Sequence, residues 1–409
     1  MATSETAGKN APLTPRHLVY CWELGQGYGH LLNFRRLALL LLADGWRVSA
    51  IVRDADKARR LLPADVQVFA IPPLGAQSRF NPTVNLAEIL LNNDFADVTR
   101  LQARAALWQQ RLIELHPSVL LIDHAPTALL VGVINQRRIA LLGSGFFIPP
   151  NLPELPLFSL FAGRTSGAEA ELVNVFNQIE LNQRRLNLKG IADLFYQSDA
   201  QFLCTFAELD HYGERPEGEY WGAISDFSFG EPALWPDKEG PKVFMYLHAD
   251  YQALPALLDE VQRLNMNVLT HIGGWYGDSS RWPAIRFMPK PLRLDDVAAQ
   301  ADLVICHAGH ATISGMLLRR QKLLLVPKQL EQLLLADRLW RQQLALVLAP
   351  GADMSLLAQM CHTLLYDQSL QARLQQFARY YAGYSVQEQA EGMLEVLSEL
   401  VAAAEPPQP

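Results

Sequence analysis

Two short glycine-bearing turns place histidines between an apolar strand pattern and an amphipathic helix pattern. The first is Gly25-Gln-Gly27-Tyr-Gly29-His30, which follows the apolar run at 17–24. Glycines in such a turn permit positive φ and close approach of a ligand to the backbone. The helix start behind them offers free N–H groups. The spacing is G-x-G-x-G, and His30 stands where a dinucleotide fingerprint wants its third glycine. A neutral imidazole directed from a helix start into a crevice can take a proton from a hydroxyl. The competing readings are an imidazole that only caps or packs, and a dinucleotide fold with Asp54 as its ribose acid. Asp123 ends the apolar strand pattern at 119–122. It can accept an imidazole N–H and stabilise the imidazolium, or simply cap the helix starting near Thr127. His124 is a weaker partner for His30.

The second turn is His307-Ala-Gly309-His310-Ala311-Thr312, after the strand pattern at 303–306 and before a helix starting near Thr312. Here a diphosphate is favoured. Backbone N–H groups and the helix dipole face the anion, His307 and Thr312 add side-chain donors, and Gly309 lets the backbone come close. The alternative is a βα loop in which Thr312 caps its helix. Pro327-Lys-Gln-Leu-Glu331-Gln332 follows the next strand pattern, and a carboxylate beside an amide offers acceptors and donors to sugar hydroxyls. No metal is expected. His307 and His310 have no third ligand nearby, and Asp54-Ala-Asp56 reads as a solvated helix start.

These turns require a framework of alternating strands and helices. Short apolar runs bounded by Gly, Pro and Asp suit buried parallel strands, and segments of 10 to 15 residues with helical periodicity suit crossovers. The first series predicts strands at 17–24, 46–52, 66–71, 119–122, 139–142 and 201–204, with helices at 31–43, 56–62, 97–115, 127–135 and 168–188. Segment 72–94 and segment 143–160 lack periodicity. The second series predicts strands at 243–247, 267–271, 285–288, 303–306 and 322–326. Its helices lie at 254–264, 293–300, 312–319, 332–343, 355–366 and 370–381. The expected fold is α/β, two Rossmann-like domains facing a central cleft. The expected organisation is a disordered tail (1–16), an acceptor-side domain (17–215), a linker (216–241), a donor domain (242–385), and a helix with a Pro-rich tail (386–409).

Composition narrows the function classes. The 409 residues include 42 acidic and 35 basic side chains, a net charge of −7, which argues against a nonspecific nucleic-acid surface. Cys21, Cys204, Cys306 and Cys361 form no C-x-x-C pair, so neither a zinc ribbon nor a disulfide framework is indicated. No secretory h-region and no apolar run of about 18 residues is present. A cytoplasmic protein is expected, with peripheral membrane contact left open.

Taken in order, His307-Ala-Gly-His-Ala-Thr312, Lys322-Leu-Leu-Leu-Val-Pro327, Glu331-Gln332 and Ala336-Asp-Arg338 resemble the donor signature of UDP-glycosyltransferases and antibiotic glycosyltransferases, which have the two-domain GT-B fold. Gly27-Tyr-Gly29-His30 resembles that family's N-terminal G-x-G-H. The resemblance covers roughly residues 17–385. It implies His30 as base, Asp123 as its support, and His307, Gly309, His310, Ala311 and Thr312 at the donor diphosphate. It also implies Glu331 and Gln332 at the donor sugar, and Phe287 and Lys290 at the nucleobase, where plant members carry W-x-P-Q. The implied reaction is direct, inverting, metal-free displacement at the anomeric carbon of a nucleotide sugar by an acceptor hydroxyl. The sugar nucleotide is a co-substrate, and no cofactor is implied. Ala311 replaces a motif glycine, Glu331 an aspartate, Lys290 a glutamine, and Gly315 stands where many UDP-sugar users carry a ribose-binding glutamate. UDP and dTDP are both open. Phe146, Phe147, Phe158 and Phe161 predict an apolar acceptor surface or, equally, core. The alternatives are a nucleotide-sugar 2-epimerase, a degenerate nucleotide-sugar binding protein and a dinucleotide oxidoreductase.

Overall fold

A computed structural model describes residues 16–25, 29–224 and 227–403. Gly27, most of the N-terminal tail and the Pro-rich end therefore lie outside the described residues. The first half runs β1 (His17–Trp22), α1 (Gly29–Ala43), β2 (Arg47–Val52), α2 (Ala55–Leu61), β3 (Gln67–Ala70), α3 (Leu86–Asn92), α4 (Val98–Leu115), β4 (Val119–Asp123), α5 (Pro126–Ile134), β5 (Ile139–Gly143), α6 (Ala168–Gln178), α7 (Ala192–Phe195) and β6 (Ala200–Leu203). The second runs β7 (Lys242–His248), α8 (Leu254–Arg263), β8 (Asn267–Gly273), β9 (Ile285–Phe287), α9 (Leu294–Ala298), β10 (Leu303–Cys306), α10 (His310–Leu318), β11 (Leu323–Leu325), α11 (Leu330–Arg341), β12 (Leu346–Val347), α12 (Leu356–Tyr366), α13 (Gln368–Tyr380) and α14 (Val386–Ala402).

Each half is a parallel six-stranded sheet, in the orders β3-β2-β1-β4-β5-β6 and β12-β11-β10-β7-β8-β9. Counted from its own first strand, the second order repeats the first. In both, the winding reverses between the first and fourth strands, β1 and β4 in one domain, β7 and β10 in the other. Crevices for ligands open there, beyond the strand C-termini. The strands are buried on both faces, as β1, β4 and β10 show by being buried at every position. That is why they read as continuous apolar runs rather than alternating ones. Helix α14 returns to the first domain, where Met393, Leu397 and Val401 join the core beneath α1 with Leu31, Phe34 and Leu37.

Local departures from the sequence expectation have local causes. The stretch 72–94 contains α3, which Asn85 caps by accepting the Glu88 N–H (3.0 Å), while the Glu88 carboxylate accepts from Val84 N–H (2.8 Å). This is capping-box logic, and the N-x-x-E spacing was the overlooked signal. The helix expected over 168–188 stops at Gln178. Asn182 and Gln183 take positive φ in a tight turn closed by Leu181 and Arg184, and this returns Leu181 and Leu188 to the core. Helix α10 starts at His310, not Thr312, with Gly309 as its N-cap. Its N-cap being Gly309, Thr312 does not cap this helix.

Candidate active site in the interdomain cleft

At the first switch point, the loops after β1 and β4 are tied together by the Leu24 N–H donating to the His124 carbonyl (2.9 Å). His30 lies in the first turn of α1, 8% exposed. Its Nδ1–H donates to Asp123 Oδ1 (2.8 Å), and the Tyr20 hydroxyl donates to Asp123 Oδ2 (2.7 Å). The Trp22 and Phe147 rings flank the imidazole at 5.4 and 5.1 Å. With Nδ1 committed to the carboxylate, the Nε2 lone pair is the one left to take a proton. Burial pulls this imidazole down, while Asp123 by charge and hydrogen bond, joined by Glu331, pushes it up; the net direction is above its ordinary 6.5. Glu331 belongs to the other domain, so the two sides of the cleft sense each other electrostatically.

Gly25 has a structural duty to His30. Its φ is +85°, and a Cβ there would lie 2.5 Å from His30 Nε2. Arg53 holds the turn by donating to the Gly25 carbonyl (2.8 Å). Gly25→Ala is expected to cost about 1–2 kcal/mol of backbone strain and to push the imidazole off Asp123. Thermal melting should read the first effect. A histidine NMR titration should read the second, as loss of the upward shift of His30; an unchanged melting point with an unchanged titration would refute this account.

The four phenylalanines divide. Phe146 and Phe158 are core, packed with Leu334 of α11, and Phe161 lies against the same cluster. Phe147 alone borders the catalytic candidates, at 4.3 Å from the His124 ring and 5.1 Å from His30. The fit of loop 143–148 is set by the buried Asp210–Arg215 pair (2.7 Å), whose guanidinium also donates to the Ile148 carbonyl (2.7 Å).

At the second switch point, three neighbouring strand ends bring His248, His307 and Lys328 together. His307 Nδ1–H donates to the Val326 carbonyl (2.8 Å), and its Nε2 accepts the His248 N–H (3.0 Å). Both ring nitrogens are thus spent on the scaffold, and burial lowers the imidazole pKa. The expected side-chain donor at this position is a tie between strands. Ala308 turns through positive φ (+67°). A Cβ at Gly309 would meet nothing, so the space before α10 is open. The first helical bond here is Ile313 N–H to Gly309 C=O (3.0 Å), which leaves the N–H groups of residues 310–312 without helical partners. Ala311 and Thr312 are half-buried beside them. His310 turns away from this opening. Its Nε2 meets Thr205 Oγ1 of the first domain (2.7 Å), and burial brings its pKa down to about 4.

Lys328 was not singled out in the sequence, although its place directly after a strand-ending proline was a signal. Its ammonium is held by Asp250, which also accepts from His248 Nδ1 (2.7 Å). Glu331 opens α11, and burial raises its carboxyl pKa while His30 opposes the rise. Gln332 is buried and accepts the Lys328 N–H (3.0 Å).

The expected nucleobase residues separate. Phe287 stacks on Trp275 (5.8 Å) and lies near Trp282 (6.1 Å), two rings the sequence reading passed over. Lys290 is exposed and paired with Glu231 of the linker (2.6 Å). Gly315 is filled from outside: a Cβ there would stand 2.2 Å from the Phe227 ring, over which Arg319 lies at 4.6 Å. No longer side chain fits at 315 without displacing Phe227.

Asp54 caps α2 by accepting the Lys57 N–H (2.9 Å). Among the described residues no group of three or more His, Cys, Asp and Glu is placed to hold a metal ion, and no helix is long and apolar enough to cross a membrane. The four cysteines are free and buried.

Two Rossmann-like domains with their switch points turned to one cleft define the GT-B fold of nucleotide-sugar glycosyltransferases, and this chain has it. No protein-family model matches the chain, and no curated protein matches it by sequence. Solved structures match over nearly the whole length. The calicheamicin glycosyltransferase CalG4 is similar with a TM-score of 0.66 and 16% identity, covering 96% of this chain and 100% of its own. The glycosyltransferase VinC, solved in complex with dTDP, gives 0.61 and 15%, covering 94% and 100%. A UDP-glucosyltransferase from Polygonum tinctorium gives 0.65 and 13%, covering 95% and 100%.

Proposed function

We propose that this protein transfers a glycosyl group from a nucleoside-diphosphate sugar to an acceptor hydroxyl, with inversion and without a metal. The observation that carries the reading is the pair of switch points: His30 bonded to Asp123 at the first, and the open helix start of α10 behind Gly309 at the second. In the reaction, His30 Nε2 takes the acceptor's proton as its oxygen bonds to the anomeric carbon. The bond from that carbon to the diphosphate oxygen breaks, and its electron pair leaves with the phosphate. Asp123 stabilises the imidazolium that forms. The N–H groups at the start of α10 and the Lys328 ammonium receive the new negative charge, the role a metal would otherwise fill. Glu331 holds sugar hydroxyls, and Gln332 braces the loop that carries it. Trp275 and Phe287 offer faces for the base.

The similarity to VinC, solved with dTDP, and to a UDP-glucosyltransferase makes these two nucleotides the first to test. Thermal shift against UDP, dTDP, GDP, NAD and NADP is the decisive first experiment. A nucleotide at a hundred times its dissociation constant should stabilise the protein by about 2.7 kcal/mol. One nucleoside diphosphate should respond selectively, unaffected by EDTA. Its sugar should then release nucleotide faster when an acceptor is present. Response to NAD(P) alone would overturn the reading, and binding with no turnover on any acceptor would leave a binding protein.

A further inference from the structure

Tyr20 carries a hydroxyl into the interior of the first domain, where its ring alone would pack as well. The residue is fully buried, at 0% exposure. Its place follows from two periodicities. Tyr20 and Trp22 are two apart on β1 and share a face, and His30 and Phe34 are four apart on α1 and share another. The two faces meet: the Trp22 ring lies 5.4 Å from His30, and the Tyr20 ring stacks on Phe34 at 4.1 Å and 5°. In the β1–β4 register Trp22 stands beside Asp123. The carboxylate thus has both oxygens in use, Oδ1 by the His30 Nδ1–H (2.8 Å) and Oδ2 by the Tyr20 hydroxyl (2.7 Å). Asp123 is itself buried, so solvent offers little to replace either donor. Burial and the Asp123 charge push the phenol well above its ordinary 10, so it keeps its proton and stays a donor.

We propose that Tyr20 is a positioning residue for the His30–Asp123 pair: it fixes the carboxylate toward the imidazole and limits how strongly that carboxylate draws a proton onto His30. The fixing comes from a donor whose ring is held by Phe34. The limit follows from the charges. While His30 is neutral, Asp123 presents a full negative charge, and the phenol bond is a charge-assisted one. Once His30 is protonated, the pair is close to neutral and attracts the phenol less. Tyr20 therefore stabilises the neutral imidazole more than the imidazolium, and opposes the upward pull of Asp123. A base held too high would already carry a proton at neutral pH and could not take the acceptor's. The other groups facing the pair are Glu331 of α11, Arg53 after β2, His124 after β4 and Cys204 after β6. None of these four bonds the carboxylate. The role in the reaction rests on the transferase reading above, and the proton coupling rests on the two hydrogen bonds.

The test is a histidine NMR titration of the intact protein, with the His30 signal assigned by its loss in His30→Ala. Tyr20→Phe keeps the stacked ring and is expected to fold, which thermal melting checks. Its His30 pKa should rise by about 0.5 to 1 pH unit over the wild type, the part of a charged hydrogen bond that depends on the imidazole's charge. Phe34→Leu, which frees the ring and leaves the hydroxyl, should raise it by less. In the Asp123→Asn background, Tyr20→Phe should move His30 by less than about a third of its effect in the wild type, because the group through which Tyr20 acts is gone. The acid limb of transfer with the responding sugar nucleotide should move to higher pH in step. A His30 pKa unmoved or lowered in both single variants overturns the proposal, and so does an equal shift in the Asp123→Asn background. A raised pKa with an unmoved acid limb overturns the role in the reaction. A wild type with neither turnover nor nucleotide binding overturns the transferase reading instead, and the titration still decides the coupling.

Discussion

Replacing His30 with alanine is expected to lower glycosyl transfer by about 10²- to 10⁴-fold, the range for removing a positioned general base, while the nucleoside diphosphate still binds. The asymmetry follows from the geometry. His30 stands in the first domain with Asp123, whereas the helix start proposed to take the diphosphate lies at α10 in the second. The pH profile supplies a second readout. The base must be neutral in the resting enzyme, and its folded pKa lies above the ordinary 6.5. The rate should therefore fall as pH drops through a value above 6.5. Asp123→Asn removes the strongest upward influence and leaves burial, so the acid limb should move to lower pH. The maximum rate should fall at the same time, because the imidazolium loses its counter-charge. A His30→Ala protein that keeps more than a tenth of the wild-type rate would sink the assignment. An acid limb that does not move in Asp123→Asn would show that some other group sets it.

The second large effect belongs to Lys328. His307 has no N–H to give a diphosphate, because Val326 and His248 occupy both its nitrogens. The start of α10 supplies only the partial charge of a helix end. In the proposed reaction the departing nucleotide gains a full negative charge as the glycosyl bond breaks, and Lys328 is proposed to stand beside it. An ammonium beside it therefore helps the transition state more than the ground state. Lys328→Met is expected to reduce kcat/KM by about 10- to 150-fold, the worth of a charged hydrogen bond. Lys328→Arg, which keeps the charge, should recover much of this. In the structure Asp250 holds the ammonium, so donor binding must compete with that pair. Asp250→Asn should accordingly tighten nucleotide binding while Lys328→Met weakens it. Steady-state kinetics and nucleotide titration of the three variants decide the matter. Unchanged kcat/KM in Lys328→Met would return the leaving-group role to the helix start alone.

The sequence by itself determined the parts of this protein that depend on near neighbours. Apolar runs fully buried in parallel sheets, and helical periodicity between them, reveal the two α/β domains because burial on both faces leaves no polar alternation to read. The two glycine-bearing turns, His30 at one helix start and Gly309 at another, are likewise local. Tertiary structure decided which of these residues meet. His30 and Asp123 are 93 residues apart and touch because β1 and β4 pair at the switch point. Glu331 faces them only because the second sheet repeats the first one's winding and turns its own switch point to the same cleft. The roles of His307 and His310 also changed in three dimensions. In sequence both are donors beside a helix start; in the fold one ties strand ends together and the other meets Thr205 across the domain boundary. A motif records the residue type at a turn, but where a side chain's hydrogen bonds go is settled by what the sheet order and the docking of two domains bring within 3 Å of it.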